Sequence, residues 1–218
     1  KTKKMVDNFQ IKTWKSEFGK NYTSRNTFKD AEDFNNFHKK RYGVSRDSFF
    51  KNNLNFLSEN ESFLEVGANI GNQLSSLKRI GYSKLYGIEI QREAIKKSHN
   101  SSPEIDIIYG LAQDIPFKDS FFDAVYTNNV LIHINPKDLN KVIAEIYRVS
   151  KKYIFGFEYF SPEIVEIKYR NNNSLLWKCD FCKRFLESYP DLKILKKDFF
   201  NLNDDPGNID QFYILEKK

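Results

Sequence analysis

Cysteine, histidine and long apolar runs are all scarce in this chain of 218 residues, and each scarcity excludes something. The two cysteines, Cys179 and Cys182, form a single CxxC in "KCDFCK". One pair builds no disulfide framework, and a zinc site needs a second pair of ligands. The three histidines, His38, His99 and His133, lie far from it in sequence, so no metal is expected and the cysteines read as reduced thiols on a helix. No apolar run approaches the ~18 residues of a membrane span, and the first residues lack the apolar segment of a signal peptide. A cytoplasmic protein without a membrane span is the expectation. Excess charge is small as well: 35 Lys and Arg stand against 29 Asp and Glu, for a net charge of +6. They are scattered, with Lys1, Lys3, Lys4, Lys217 and Lys218 at the ends, and form no focused basic stripe of the kind that binds nucleic acid.

What is present is a folding composition. Hydrophobic residues make up 40% and aromatics 16%, which outweighs a mean hydropathy of -0.63. The length suits one domain with modest additions. Through residues 1–60, apolar residues recur at helical spacing (Phe34 and Phe37; Phe49, Phe50, Leu54 and Leu57), predicting several helices ahead of the core. Ser45 and Asn26 read as N-caps, and Gly19 and Gly43 as breaks. From residue 61 to 218, short apolar strands alternate with helices. Strands are predicted at "SFLEV", "KLYGIE", "IDIIYG", "FDAVYTN", "KYIFGFEY", "LKILKKDFF" and "QFYILEK". Helices are predicted at "NQLSSLKRI", "QREAIKKSH", "PKDLNKVIAEIYRVS" and "LWKCDFCKRFLESY". Such alternation indicates an α/β fold with a mainly parallel sheet covered on both faces. The insertion near residues 158–178 is longer than an ordinary connection and is a natural place for substrate contacts.

The chemistry begins in "FLEVGANIGNQL". Its strand ends near Val66, and Gly67 and Gly71 fall in the turn before the next helix, where a glycine lets backbone approach a ligand closely. Asn69 stands where a dinucleotide fingerprint has its middle glycine. The next strand ends at Glu89, one βαβ step after Glu65, close to the ~20 residues at which an acidic side chain meets a ribose. In "GLAQDIPFKDSFFDAVYTNNVLIHI", Asp114 is a candidate acceptor for an exocyclic amine, and Ile115 a candidate for packing on a purine face. The end of the fourth strand reaches the same crevice.

"LEVGANIG", "LYGIEI", "AQDIPFKDSFFDAVYTNNVLIHI" and "EIYRVSKKYI" together resemble a class I S-adenosylmethionine-dependent methyltransferase. More narrowly, "WKSEFGKNYTSRN", "VSRDSFF", "VLIHINP" and "GFEYFSPEIVEIKYRNNNSLLWKCDF" resemble the pseudaminic acid biosynthesis-associated methylase group. The resemblance implies a Rossmann-like seven-stranded sheet, its last strand antiparallel, flanked by helices and preceded by an N-terminal helical lid. It also implies S-adenosylmethionine as cofactor, with S-adenosylhomocysteine as product. Glu65 takes the acidic position of the first motif, Gly67, Asn69 and Gly71 the cofactor turn, Glu89 and Ile90 the ribose side, Asp114 and Ile115 the adenine, and Asn128 the methionine part. Tyr22 and Arg25 match by type and spacing the aromatic and arginine that approach the methionine carboxylate in related enzymes.

Transfer of a methyl group to a hydroxyl needs alignment and a base. His133 in "VLIHINP" is one candidate, since an unperturbed imidazole titrates near ~6.5; ordering the loop by a backbone bond is its alternative. Glu158 in "GFEYF" is the other candidate, its acidity weakened by neighbouring aromatic rings, and it equally suits direct contact with an acceptor. Tyr159, Tyr169, Arg170, Trp177 and Lys178 suit a sugar bearing a carboxylate or phosphate, although Arg170 equally suits a bond to Glu163 or Glu166. Arg46 is a further anion contact. Trp14 and Phe18 read as core of the lid. The expected acceptor is a small-molecule glycan or nucleotide-linked precursor of surface-glycan biosynthesis, such as a sialic-acid-like sugar or capsule precursor. An RNA or protein methyltransferase, a non-catalytic partner protein of the same fold and an NAD dehydrogenase are the competing readings.

Overall fold

The longest amphipathic pattern sets the architecture. In "PKDLNKVIAEIYRV" the residues Leu139, Val142, Ile143, Ile146 and Val149 recur at three- and four-residue steps, and all are buried. Their stripe needs an apolar surface to cover, and the strands on either side supply it. A computed structural model describes residues 9–218; Lys1, Lys3 and Lys4 lie outside it.

Nine strands and eight helices are found among the described residues: β1 (Ser62–Val66), β2 (Lys84–Glu89), β3 (Asp106–Tyr109), β4 (Phe122–Asn128), β5 (Ser150–Tyr159), β6 (Val165–Glu166), β7 (Trp177–Lys178), β8 (Leu192–Asn201) and β9 (Ile209–Lys217). The helices are α1 (Phe9–Lys15), α2 (Glu17–Arg25), α3 (Ala31–Tyr42), α4 (Arg46–Leu54), α5 (Asn72–Arg79), α6 (Arg92–Ser101), α7 (Pro136–Val149) and α8 (Phe181–Ser188). Seven strands form one sheet in the order β3-β2-β1-β4-β5-β9-β8. The first five run parallel, and β9 is antiparallel to both β5 and β8. The last strand in sequence therefore lies one place in from the sheet edge.

Two apolar layers flank this sheet. One joins α7 and α8 to β1, β4, β5 and β9 through Val142, Ile146, Phe181 and Phe185. The other places Phe49, Phe50 and Leu54 of α4 against Phe63, Tyr126, Phe155 and Phe212. Burying each such side chain contributes ~1.5–3 kcal/mol. Since α4 belongs to this core, the segment left to cover the carboxyl ends of the strands is α1 and α2. Two glutamines fasten it there. Gln91 Nε2 donates to the carbonyls of Trp14 at 2.8 Å and Ser16 at 3.0 Å. Gln10 donates to His133 O at 2.8 Å and accepts from Asn135 N at 2.8 Å.

The local expectations differ from this picture in three places. Ser45 caps α4 as expected, but Asn26 terminates α2, and Asp30 is the N-cap of α3. Gly19 is no break: it lies inside α2, where an added Cβ would stand 1.9 Å from Trp14 O. The helix predicted from "LWKCDFCKRFLESY" starts late, because Asp180 accepts from Lys183 N and caps it, while Trp177 and Lys178 pair with β6 as a two-stranded ribbon. Cys179 thus precedes the helix and Cys182 lies in its first turn; both are buried, and burial pushes both thiols up to about 12.

Candidate active site

The carboxyl ends of β1, β2 and β4 open onto a cleft closed from above by α1 and α2. Counted out to its mouth it encloses about 830 Å³. Its floor is the glycine turn after β1. Gly67 has φ 77°, and a Cβ there would stand 2.6 Å from Val130 Cγ2, so both the left-handed backbone and the close approach require glycine. Asn69 is left-handed too, at φ 49°. Its own Oδ1 accepts from Ile70 N at 2.9 Å, a local bond of the kind that lets asparagine adopt this conformation.

Glu89 ends β2 and is 7% exposed. One carboxylate oxygen accepts from Asn69 N at 2.8 Å and the other from Gln91 N at 2.7 Å. Burial raises its pKa and these backbone donors oppose the rise. Each oxygen keeps an acceptor position, so the carboxylate is fixed in place and can still receive two hydroxyl hydrogens from the cleft. Further round, the wall consists of Gly110, Leu111, Ala112 and Gln113, with Ile88 and Ile90 opposite.

The other end of the cleft holds unmatched polar atoms. Asn128 Oδ1 and Asn129 Oδ1, at the tip of β4, are buried without a partner, as is the indole nitrogen of Trp14 in the lid. Two orphan acceptors side by side are an expensive arrangement unless a ligand's donors, such as an ammonium, meet them. Past them a second, half-open cavity begins, and the two share Tyr22, Gly67, Asn69, Asn128, Asn129 and His133.

His133 stands at this junction, packed against Trp14, Tyr22 and Tyr169 with ring centroids at 4.6, 6.3 and 5.2 Å. Its Nδ1 lies 2.7 Å from Leu175 O. A carbonyl only accepts, so Nδ1 carries the proton and Nε2 presents a lone pair. Burial lowers the imidazole pKa to about 4, keeping the ring neutral near pH 7.

Residues 64–153 match the methyltransferase domain family. The match covers less than half of the chain. An uncharacterized methyltransferase of Synechocystis is 31% identical over 65 residues, which cover 30% of this chain and 31% of the relative. The match therefore spans about a third of that relative's length. Among solved structures, magnesium protoporphyrin IX methyltransferase from Synechocystis, with bound S-adenosylmethionine, aligns over 100% of both chains at 11% identity with a TM-score of 0.69. The Burkholderia thailandensis 1,6-didemethyltoxoflavin-N1-methyltransferase, with bound S-adenosylhomocysteine, aligns over 79% of this chain and 76% of that one at 11% identity with a TM-score of 0.63. At such identities the likeness establishes the Rossmann-like methyltransferase fold. The cleft fits the cofactor held by those structures: a carboxylate at the ribose end, an apolar slot beside it, and orphan carbonyl oxygens at the amino acid end.

The fold brings only part of the expected residue set together. Gly67, Asn69, Glu89, Ile90, Asn128, Tyr22 and His133 all line the first cleft. Gly71, at φ 83°, opens α5 behind the turn, its position filled by Ile107 rather than facing the cleft. Glu65 is buried, accepts from Tyr126 Oη at 3.1 Å and borders the second cavity instead. Arg25, Tyr159, Tyr169 and Arg170 border that cavity too, and Arg170 makes no ion pair with Glu163 or Glu166.

Five residues lie elsewhere than the sequence placed them. Asp114 is exposed and Ile115 lies in the core, because the chain after β3 passes the cleft at residues 110–113 and has turned away by Asp114. Glu158 is fully buried and faces the loop after β4, accepting from Val130 N at 3.1 Å and Ile132 N at 3.3 Å. Burial lifts its pKa to about 7, but it lines neither cavity, so it positions the loop that carries His133. Trp177 is buried in the β6–β7 ribbon, and the Lys178 ammonium bonds Asn208 over the Tyr159 ring; neither reaches either cavity. Trp14 moves the other way, from expected lid core to cleft wall. Gln10 and Gln91 went unread, since a lone amide side chain carries no periodic or motif signal.

Proposed function

We propose that the chain is an S-adenosylmethionine-dependent methyltransferase that O-methylates a small polar acceptor of surface-glycan biosynthesis, a nucleotide-linked or sialic-acid-like sugar or a capsule precursor, in the cytoplasm. The observation that carries the reading is the junction of the two cavities at Gly67, Asn128, Asn129 and His133. One cavity has the polar layout of a nucleoside bearing an amino acid, and the other has room for a sugar-sized molecule. The small-molecule acceptors named for the toxoflavin and protoporphyrin methyltransferases agree with a half-open second cavity beside the first. The glycan class rests on the resemblance to the pseudaminic acid biosynthesis-associated methylases.

Glu89 holds the ribose hydroxyls, and Asn128 and Asn129 take the ammonium of the methionine part. Bound S-adenosylmethionine supplies an electrophilic methyl group at a sulfonium. The protein aligns an acceptor hydroxyl and excludes water through the lid helices α1 and α2. His133 Nε2 accepts the hydroxyl proton, its orientation fixed by Nδ1 bonding to Leu175 O. The test is transfer of labelled methyl to a panel of free, phosphorylated and nucleotide-linked sugars, with tRNA and histone as controls. Label on a sugar oxygen supports the reading, whereas label on RNA or protein alone replaces it.

A further inference from the structure

Arg46 opens α4 from beneath the second cavity. It is 2% exposed, its Nε has no partner, and among the described residues its guanidinium makes no hydrogen bond or ion pair. Aromatic rings hold it instead. The guanidinium carbon lies 4.7 Å from the Phe157 ring, 5.3 Å from Phe49, 5.5 Å from Phe50 and 5.7 Å from Tyr42. A cage of rings fixes the fork of donors but supplies no acceptor.

Nearby carboxylates act on it through their fields and not by contact. Glu65 and Asp210 are the carboxylates whose fields reach Arg46, and each is taken by a tyrosine: Glu65 by Tyr126 Oη at 3.1 Å and Asp210 by Tyr42 Oη at 2.7 Å. Burial raises the pKa of both; Asp210, at about 6, stays mostly ionised at neutral pH and keeps Oδ1 without a partner, yet no bond joins it to Arg46. Among the lining residues of the cavity, Arg25, Arg41, Arg46 and Arg170 face one acidic residue, Glu65. Arg41 is already engaged by Asp204 at 2.7 Å and Tyr159 Oη at 3.0 Å. A buried cation without an acceptor is costly, and a cavity that keeps one is built for an anion.

We infer that the second cavity is an oxyanion receptor in which a carboxylate or phosphate of the acceptor docks on the guanidinium of Arg46, leaving an acceptor hydroxyl to face His133. The site gives Arg46, already an expected anion contact, the role that the sequence had suggested for Arg170 and Lys178. The acceptor role rests on the methyltransferase reading; anion binding by itself does not.

The experiment is a titration of the full chain, saturated with S-adenosylhomocysteine, with glucuronate, glucose 6-phosphate and glucose. Calorimetry and the side-chain Nε–H resonance of Arg46, assigned by its loss in Arg46→Lys, are the readouts. Binding of glucuronate or glucose 6-phosphate with a shift of that resonance, and no response to glucose, is expected, and the stronger anion identifies carboxylate or phosphate as the partner. Arg46→Met should weaken the anion roughly 10- to 100-fold, the value of a hydrogen-bonded charge pair, while S-adenosylhomocysteine affinity stays within about threefold. If Arg46→Met does not fold, Arg46→Lys, a point charge without the fork, is expected to lose affinity for the same anion. Equal anion affinity in wild type and variants, an unmoved resonance, or equal binding of glucose overturns the inference. Anion binding without any affinity for S-adenosylhomocysteine supports the receptor and removes the methyl-donor reading.

Discussion

The carboxylate of Glu89 accepts the backbone N–H of Asn69 at 2.8 Å, tying the tip of the second strand to the left-handed turn that follows the first. One residue thereby does two things: it holds the turn open beside Gly67 and presents its remaining lone pairs to the cleft. Replacing Glu89 by Ala removes both, and S-adenosylhomocysteine binding should weaken by ~1.5–3 kcal/mol in a calorimetric titration. Unchanged affinity would remove the ribose assignment.

His133 is neutral in the native state down to about pH 4, whereas in the unfolded chain it takes up a proton near pH 6.5. The unfolded state therefore binds more protons between these values, and stability should fall as pH drops from 6.5 toward 4. His38, lowered by burial to about 2, acts in the same direction. Denaturant titrations of wild type and His133→Asn at pH 4.5 and 7 check this: the variant should lose less stability on acidification. The same shift predicts that turnover shows no acid limb near pH 6.5; a limb there would mean that His133 is exposed and titrates normally.

Glu158 behaves in the opposite sense. Its folded pKa of about 7 exceeds the ordinary 4.5, so the native state holds an extra proton between these values and this group lowers stability as pH rises through them. Glu158→Gln keeps the size but turns an amide toward the N–H groups of Val130 and Ile132. Cofactor affinity and turnover should decline together, with a lower melting temperature. Loss of turnover alone, with affinity and melting temperature intact, would restore Glu158 to the catalytic machinery.

The lid depends on close backbone contact. Gly19→Ala would put a Cβ 1.9 Å from Trp14 O and 2.6 Å from the Gln91 amide, both parts of the bond that docks α1 and α2. Hydrogen exchange of residues 9–25 should quicken in this variant and S-adenosylhomocysteine should bind more weakly, while the sheet amides stay protected. Unaltered exchange in the lid would show that Gln91 is not its anchor.

The parallel half of the fold was legible because its signals are local. β1 to β5 are short runs such as "SFLEV" and "FDAVYTN", separated by helices with clear apolar stripes. The glycine turn and Glu89 were readable for the same reason: backbone conformation and strand-end position are set within a few residues. Asp114 and Ile115, expected beside the adenine, lie a few positions past the cleft wall, since the turn at residues 110–113 decides which side chains face the cleft and leaves no period to read. The β6–β7 ribbon, two residues per strand, is too short for alternation to show. Arg46 stood out only weakly in sequence because its cage joins rings from α3, α4 and β5. The unpartnered guanidinium is a property of the assembled core.

The central claim is that the cleft over Gly67 and Glu89 takes a methyl donor, and calorimetric titration with S-adenosylhomocysteine, run in parallel with NAD, tests it most directly. Micromolar binding of S-adenosylhomocysteine and none of NAD is the predicted result. Binding of NAD alone, or of neither, would contradict the account of the site while leaving the sheet and its lid as described.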